Sequence, residues 1–230
     1  MSTLSVVATP IGNLQDASPR ALEVLRTADA IICEDTRVTA KLLAAHGISR
    51  PLLSHHHHST KDKTQDIIDR LARGENLALV TDAGTPAISD PGGELVRDVV
   101  AAIGDGVTVT PIPGPCAAIA ALSVSGFPAD RFVFLGFPPH KNGRRTWFKE
   151  IAGRPETVVF YESTHRIDKT LSQLGEAVGS RALVVCRELT KLHETIYRGT
   201  AAEIVAAVKA TSDKGEFVIV LSPAVPRSRA

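Results

Sequence analysis

The stretch LVTDAGTPAISDPGG, residues 79–93, decides the fold. It continues an apolar run, residues 77–80, whose length and composition predict a buried strand. The run gives way to small residues, to Asp82 and Asp90, to Pro86 and Pro91, and to Gly84, Gly92 and Gly93. Residues 94–103 then read as a helix. A strand therefore feeds a long, stiff loop of small residues, longer than most strand-to-helix connections. In open α/β sheets, ligands bind just past the carboxyl ends of strands. Gly84 has no Cβ and lets a ligand approach the backbone. The prolines hold the loop in one shape, which lowers the entropy lost on binding.

The segments on either side repeat this pattern. Strands are predicted over 4–8, 30–33, 51–54 and 107–112. Helices are predicted from Ser18-Pro19, a cap followed by a first-turn proline, and over 38–46, 61–73 and 117–124. This alternation predicts an α/β fold with a mostly parallel sheet. Composition shifts near Gly126-Phe127-Pro128, so two domains are expected, 1–126 and 127–230. In the second, strands are predicted over 132–135, 157–161, 183–187, 195–198 and 217–221, with helices over 144–151, 166–178 and 201–210. Adjacent strands mixed with helices predict some antiparallel pairing.

Bulk properties narrow the function. The chain has 230 residues, 43% hydrophobic and 22% charged, with a formal net charge of +1. That balance argues against a purely electrostatic, sequence-blind nucleic-acid binder and leaves room for local basic patches. No apolar run reaches membrane-spanning length, and the N-terminus lacks the basic start of a signal peptide. Cys33, Cys116 and Cys186 match no zinc spacing and read as buried thiols in a reducing cytoplasm. No metal is expected. The run His55-His56-His57-His58 has no neighbouring cysteine, and consecutive side chains cannot all face one ion.

Four strands of the first half end in loops of unusual chemistry: 9–13, 34–37, 82–93 and 113–116. A parallel sheet would gather them along one edge. The glycine-rich phosphate-binding fingerprints are absent. Backbone groups, prolines and small apolar surface suit an uncharged or partly apolar ligand, such as an adenosine carrying a thioether.

The strings VATPIGNLQD, ICEDTR, LVTDAGTPAISDPG, PIPGPCAA, FYESTHR and RELTK occur in that order. Together they resemble the ribosomal RNA small subunit methyltransferase I family, within the tetrapyrrole-methylase-like class of S-adenosylmethionine enzymes. The resemblance covers residues 4–221. It implies two α/β domains with the cofactor in the cleft between them, a cytoplasmic homodimer, and 2′-O-methylation of a cytidine ribose in 16S ribosomal RNA near the decoding centre. Two other readings are a tetrapyrrole methyltransferase of the same fold and a non-catalytic module that binds RNA or the ribosome. Family members commonly carry a helical C-terminal extension. This sequence stops soon after its last strand, so RNA docking is expected on other surfaces. The family pattern His-x-His is met by His56 and His58; the Asn-Glu that usually follows is not.

Carried over residue by residue, the resemblance assigns Pro10, Gly12, Asp82, Ala83, Gly84, Ile88, Cys116, Ala117, Tyr161 and Leu189 to the cofactor. Asp35 or Glu188 is expected as a base, with Lys191 lowering the hydroxyl's pKa or serving as base itself. Arg37, His56, His58, Lys141, Arg144 and Arg145 are expected against the RNA. Basic side chains position phosphates, and the neighbouring Trp147 or Phe148 would stack a base.

Overall fold

The computed structural model describes residues 1–56 and 59–224. The chain divides after Cys116 into two compact units.

The first unit is a five-stranded sheet, all parallel, built from Ser2–Val7 (β1), Ala30–Cys33 (β2), Leu52–Ser54 (β3), Leu77–Leu79 (β4) and Val107–Ile112 (β5). Its order is β3-β2-β4-β1-β5. Four helices connect the strands: Pro19–Thr27 (α1), Thr36–Ala45 (α2), Lys61–Ala72 (α3) and Gly92–Ile103 (α4). The central strands are buried on both faces, which is why they read as unbroken apolar runs. On one face Val7, Ile31, Cys33 and Ala78 pack against Ala21 and Leu25 of α1 and Leu43 of α2. On the other, Leu4, Ile32, Leu77 and Leu79 pack against Ile67 and Leu71 of α3 and Leu95 and Val99 of α4. Successive strand residues thus feed opposite cores, as the two-residue period of a strand requires.

Helix starts follow the local sequence. The Ser18 side chain accepts the Ala21 N–H at 3.1 Å ahead of Pro19. Asp35 caps α2 by accepting the Arg37 N–H at 2.8 Å. These caps satisfy donors that a helix end cannot pair internally.

The second unit is a mixed sheet of Phe132–Phe134 (β6), Thr157–Ser163 (β7), Leu183–Arg187 (β8), Thr195–Gly199 (β9) and Glu216–Leu221 (β10), in the order β6-β7-β10-β8-β9. Only β6 and β7 pair in parallel; the other neighbours are antiparallel. Helices Arg144–Ala152 (α6), Ile167–Val178 (α7) and Ala201–Thr211 (α8) bury Phe148, Ile151, Leu171, Leu174, Ile204 and Val208 against Val158, Phe160, Val185 and Ile219. Ala117–Ser125 (α5) also belongs to this unit and packs on β7, β8 and β10. Its buried Ala118 and Ala121 allow close approach to the sheet. A capping box at Thr200 and Glu203 starts α8.

The expectation of a mostly parallel first sheet and of some antiparallel pairing in the second agrees with the strand pairing, the first sheet being parallel throughout.

Candidate functional site

In the first unit, the helices leaving β1 and β2 cover one face of the sheet and the helix leaving β4 covers the other. Strand β4 lies between β2 and β1. The chain therefore leaves neighbouring strands in opposite directions, and the loops splay apart at their carboxyl ends. That is where open α/β sheets hold ligands.

Hydrogen bonds tie the four loops into one rigid edge. Thr9 and Gly84 exchange both backbone bonds, at 2.8 and 3.1 Å. The Thr9 hydroxyl also donates to the Thr81 carbonyl at 3.1 Å. Thr85 Oγ1 donates to the Pro115 carbonyl at 3.0 Å. Asp82 Oδ1 accepts the Asp35 N–H at 3.2 Å, and Glu34 Oε1 accepts from Thr81 Oγ1 at 3.1 Å. Within the long loop, Asp90 Oδ1 accepts from Ala87 N and Gly92 N. Ala87 and Ser89 hold left-handed conformations there, with φ of 72° and 64°. Such strain persists only where the surroundings over-determine it, and it concentrates at functional sites.

Gly84 is buried with φ of 90°. A Cβ at that position would meet Ile11 at 3.4 Å and the Pro115 carbonyl at 3.7 Å, ordinary contacts. The glycine is therefore required by backbone conformation. Asp82 and Ala83 beside it are exposed, and Ile88 leaves 41% of its surface open. Pro10 is half-buried, Gly12 exposed and Cys116 half-buried.

Asp35 is tied to its own helix. Its carboxylate takes the Arg37 guanidinium at 2.7–3.2 Å as well as the Arg37 N–H. The side-chain bonds from Arg37, then its backbone bond, hold Asp35 down to about 2. Such a carboxylate is a feeble proton acceptor. The histidine run begins with His55, whose Nε2 lies 3.1 Å from Thr64 Oγ1. Burial pulls its pKa below the ordinary value, with His56 and Lys63 adding to the effect. His56 is exposed, and its N–H donates to Ser59 Oγ at 2.8 Å. His58 lies outside the described residues.

In the second unit, Tyr161 ends the core of β7. Its hydroxyl accepts the Ala118 N–H at 3.2 Å, and its ring meets Phe134 and Phe137 edge-on at 4.9 and 5.5 Å. Ala117 opens α5 and is half-buried. The turn between β8 and β9 carries Glu188, Leu189 and Lys191. Glu188 and Thr190 are left-handed, with φ of 53° and 67°, and flank the half-buried Leu189. Lys191 Nζ sits 2.9 Å from Glu188 Oε1 and 2.8 Å from Glu216 Oε2. Glu188 Oε1 also accepts the Glu216 N–H at 2.9 Å. Burial would raise Glu188, but the bonds from Lys191 and Glu216 prevail and lower it. Burial would lower Lys191, but Glu216 and Glu188 together raise it. Lys191 is thus a protonated ammonium at neutral pH.

The basic loop requires a correction. Arg144 does not face solvent: it is 5% exposed. Its Nε donates to Gln173 Oε1 at 2.7 Å, one terminal nitrogen donates to the Pro139 carbonyl at 3.0 Å, and the other bonds Thr170 and lies 3.7 Å from Glu162. Burial pulls its pKa below the usual arginine range, opposed by Glu162. A guanidinium so engaged cannot hold an RNA phosphate. Lys141 and Arg145 are exposed. Phe148 is buried and Trp147 packs edge-on against Phe148 and Phe160, so both are core aromatics.

Sequence reasoning overlooked the supporting groups. Thr9, Thr85 and Asp90 hold the loops, but single Thr and Asp residues in loops carry no distinctive signal. Glu216 reaches Glu188 only because β10 pairs beside β8. Gly215 is required by the same packing: its φ is 119° and a Cβ there would fall 2.6 Å from Glu188 Cγ. Among the described residues no cluster of His, Cys, Asp or Glu is placed to hold a metal ion, and no helix is long and apolar enough to cross a membrane.

The Tetrapyrrole (Corrin/Porphyrin) Methylases family matches residues 3–205. Among solved structures, the chain superposes on a cobalt precorrin-4 methyltransferase of cobalamin biosynthesis with a TM-score of 0.70 at 18% identity, covering 96% of this chain and 94% of that one. It also superposes on uroporphyrin-III-C-methyltransferase from Thermus thermophilus, with a TM-score of 0.64 at 18% identity over 95% and 93% of the two chains. At that identity the likeness concerns the fold. In sequence, the chain is 52% identical to the ribosomal RNA small subunit methyltransferase I of Xylella fastidiosa (strain Temecula1), over 99% of this chain and 84% of that protein. It is 48% identical to the protein of that name from Escherichia coli O157:H7, over 95% and 77%. For the protein of that name from Thermotoga maritima the identity is 40%, over 96% and 99%.

The cofactor is S-adenosylmethionine. When bound, it supplies a methyl group on a cationic sulfonium. The first-unit loops suit such a ligand. They carry Glu34, Asp35, Asp82 and Asp90 against the single cation Arg37, present the open apolar side chain of Ile88, and lack a phosphate-binding fingerprint. Asp82, Ala83, Gly84, Ile88 and Cys116 lie on that edge. The chain belongs to the ribosomal RNA small subunit methyltransferase I family of the tetrapyrrole methylases.

Proposed function

We propose that this protein transfers a methyl group from S-adenosylmethionine to the ribose 2′-oxygen of a cytidine in 16S ribosomal RNA near the decoding centre, acting on the small ribosomal subunit as a cytoplasmic homodimer. The observation that carries the reading is the 40–52% identity, over nearly the whole chain, to proteins named for methylation of small-subunit ribosomal RNA. The six ordered motifs and the four-loop edge support it.

A ribose hydroxyl is a weak nucleophile, so the chain's part is to hold it aligned and manage its proton. Lys191 Nζ, kept protonated by Glu188 and Glu216, is the cation suited to steady negative charge on the reacting oxygen. Glu188, ionised at neutral pH, is a better candidate than Asp35 to receive the proton. Asp35 is held down to about 2 and is occupied with capping α2 and pairing with Arg37. On this reading Arg37, His56, Lys141 and Arg145 face RNA, and the four exposed or partly exposed groups supply local contacts that the net charge of +1 does not.

The test uses small subunits from cells lacking this protein, incubated with the purified chain and S-adenosylmethionine. Mass mapping of the ribosomal RNA is expected to show one new 2′-O-methylcytidine. Absence of transfer, or a methyl group on a base, would overturn the reading.

A further inference from the structure

We infer that Glu162, Arg166 and Arg144 form an internal clamp that sets loop 136–143 for the RNA substrate, which makes them positioning residues of the proposed methylation. The substrate in this statement rests on the function proposed above; the clamp itself rests on geometry within the second unit.

Loop 136–143 begins and ends at left-handed glycines, Gly136 at φ 59° and Gly143 at φ 76°. Their carbonyls accept the Tyr161 N–H at 2.7 Å and the Trp147 N–H at 2.9 Å, so both ends are anchored. Its middle is held by two arginines reaching up from the core. Arg166 donates to the Pro138 carbonyl at 3.3 Å, and Arg144 donates to the Pro139 carbonyl at 3.0 Å. The two guanidiniums converge on one carboxylate. Glu162 Oε1 lies 2.7 Å from Arg166, and Glu162 Oε2 lies 3.7 Å from Arg144. Thr170 donates to Glu162 Oε2 and accepts from Arg144. Ser163 accepts from Arg166 Nε at 3.2 Å, and Gln173 takes Arg144 Nε. Arg144 also lies over the Phe148 ring at 5.1 Å.

Glu162 is 1% exposed. Arg144 is buried with it and Arg166 is 17% exposed; taking such charges out of water is costly, and apolar packing of similar volume is often as stable or more so. Core stability therefore does not account for this cluster. It fixes two consecutive carbonyls of a surface loop, which apolar side chains cannot do. At one end of that loop Phe137, half-exposed, packs edge-on against Tyr161. At the other, Lys141 is open to solvent. The clamp thus sets the distance and orientation between an aromatic platform and a basic side chain.

The test is Arg166→Lys. An ammonium keeps its charge beside Glu162 but lacks the fork that reaches Pro138 as well. Hydrogen exchange at residues 137 and 140–143 is expected to quicken about tenfold. The KM for small subunits should rise about fivefold or more with kcat less affected, while S-adenosylmethionine affinity stays within about twofold. Exchange equal to wild type, or faster exchange with an unchanged KM, would overturn the inference. If Arg166→Lys fails to fold, Gln173→Ala takes its place. It withdraws one partner of Arg144 and leaves every charge in place, and the same pair of readouts decides. Exchange is measured without RNA, so a wild-type protein that methylates nothing would remove the proposed function and leave the clamp itself to the exchange result.

Discussion

Gly84, Asp35 and Lys191 each answer to a different force, and each gives a distinct test. Gly84 is held at φ 90° by its two backbone hydrogen bonds with Thr9. An L-residue there pays about 1–2 kcal/mol of backbone strain. Gly84→Ala should lower unfolding stability by about that amount in urea titration and weaken S-adenosylmethionine binding in calorimetry; stability equal to wild type would mean the bridge is dispensable. Asp35→Asn preserves a good cap and removes the charge. Because its carboxylate titrates at about 2, turnover should fall by less than about tenfold. A loss of about a hundredfold at unchanged cofactor affinity would instead mark Asp35 as the base. Glu188 and Lys191 govern pH dependence. The lowered Glu188 contributes stability above its ordinary value of 4.5, lost as pH falls through its folded value. The raised Lys191 contributes below 10.5, lost as pH rises through its folded value. Between those limits the pair should be flat with pH. Lys191→Met should remove the alkaline loss, a change of at most about 1 kcal/mol because the pair is partly exposed, and should cut kcat well beyond any change in cofactor affinity.

At the scale of elements, the helix start at residue 144 shows how one position changes a prediction. Lys141, Arg144 and Arg145 look alike as a basic string. Helical geometry turns Arg144 inward onto Glu162 and leaves Arg145 outside. Lys141→Ala with Arg145→Ala should therefore weaken binding to small subunits and flatten its salt dependence by about 0.7–0.9 per lost phosphate contact. S-adenosylmethionine binding should be untouched. A double variant with wild-type affinity across a salt series would place the RNA on another surface. Glu162→Gln acts at the same element but on stability. It leaves the buried Arg144 guanidinium and the partly exposed Arg166 without their shared carboxylate and should cost about 3–5 kcal/mol, read from denaturant melts.

At the scale of the whole molecule, a cofactor that binds only the folded chain stabilises it by mass action. At about a hundred times its dissociation constant the gain is about 2.7 kcal/mol. For a chain of this length that corresponds to a rise in Tm of roughly 5–11 °C. Addition of S-adenosylmethionine with no shift in Tm would contradict the assignment of the first-unit loops.

The amino-acid sequence by itself determined the element order, the parallel first sheet, the mixed second sheet and the four loops at the strand ends. Each rests on local signals: the unbroken apolar runs of strands buried on both faces, caps such as Ser18-Pro19, and small-residue loops following strands. Only the tertiary structure decided what the charged residues do. Arg144 pairs with Glu162, 18 positions away, because α6 packs on β7 through Phe148 and Phe160. Lys191 meets Glu216 because β10 lies between β7 and β8. Thr9 reaches Gly84, and Asp35 reaches Asp82, because β4 is inserted between β2 and β1. Chain neighbours within a helical turn or a strand repeat set backbone conformation, so sequence windows reveal it. The burial and partner of a charge depend on elements far apart in the chain, and no window contains them.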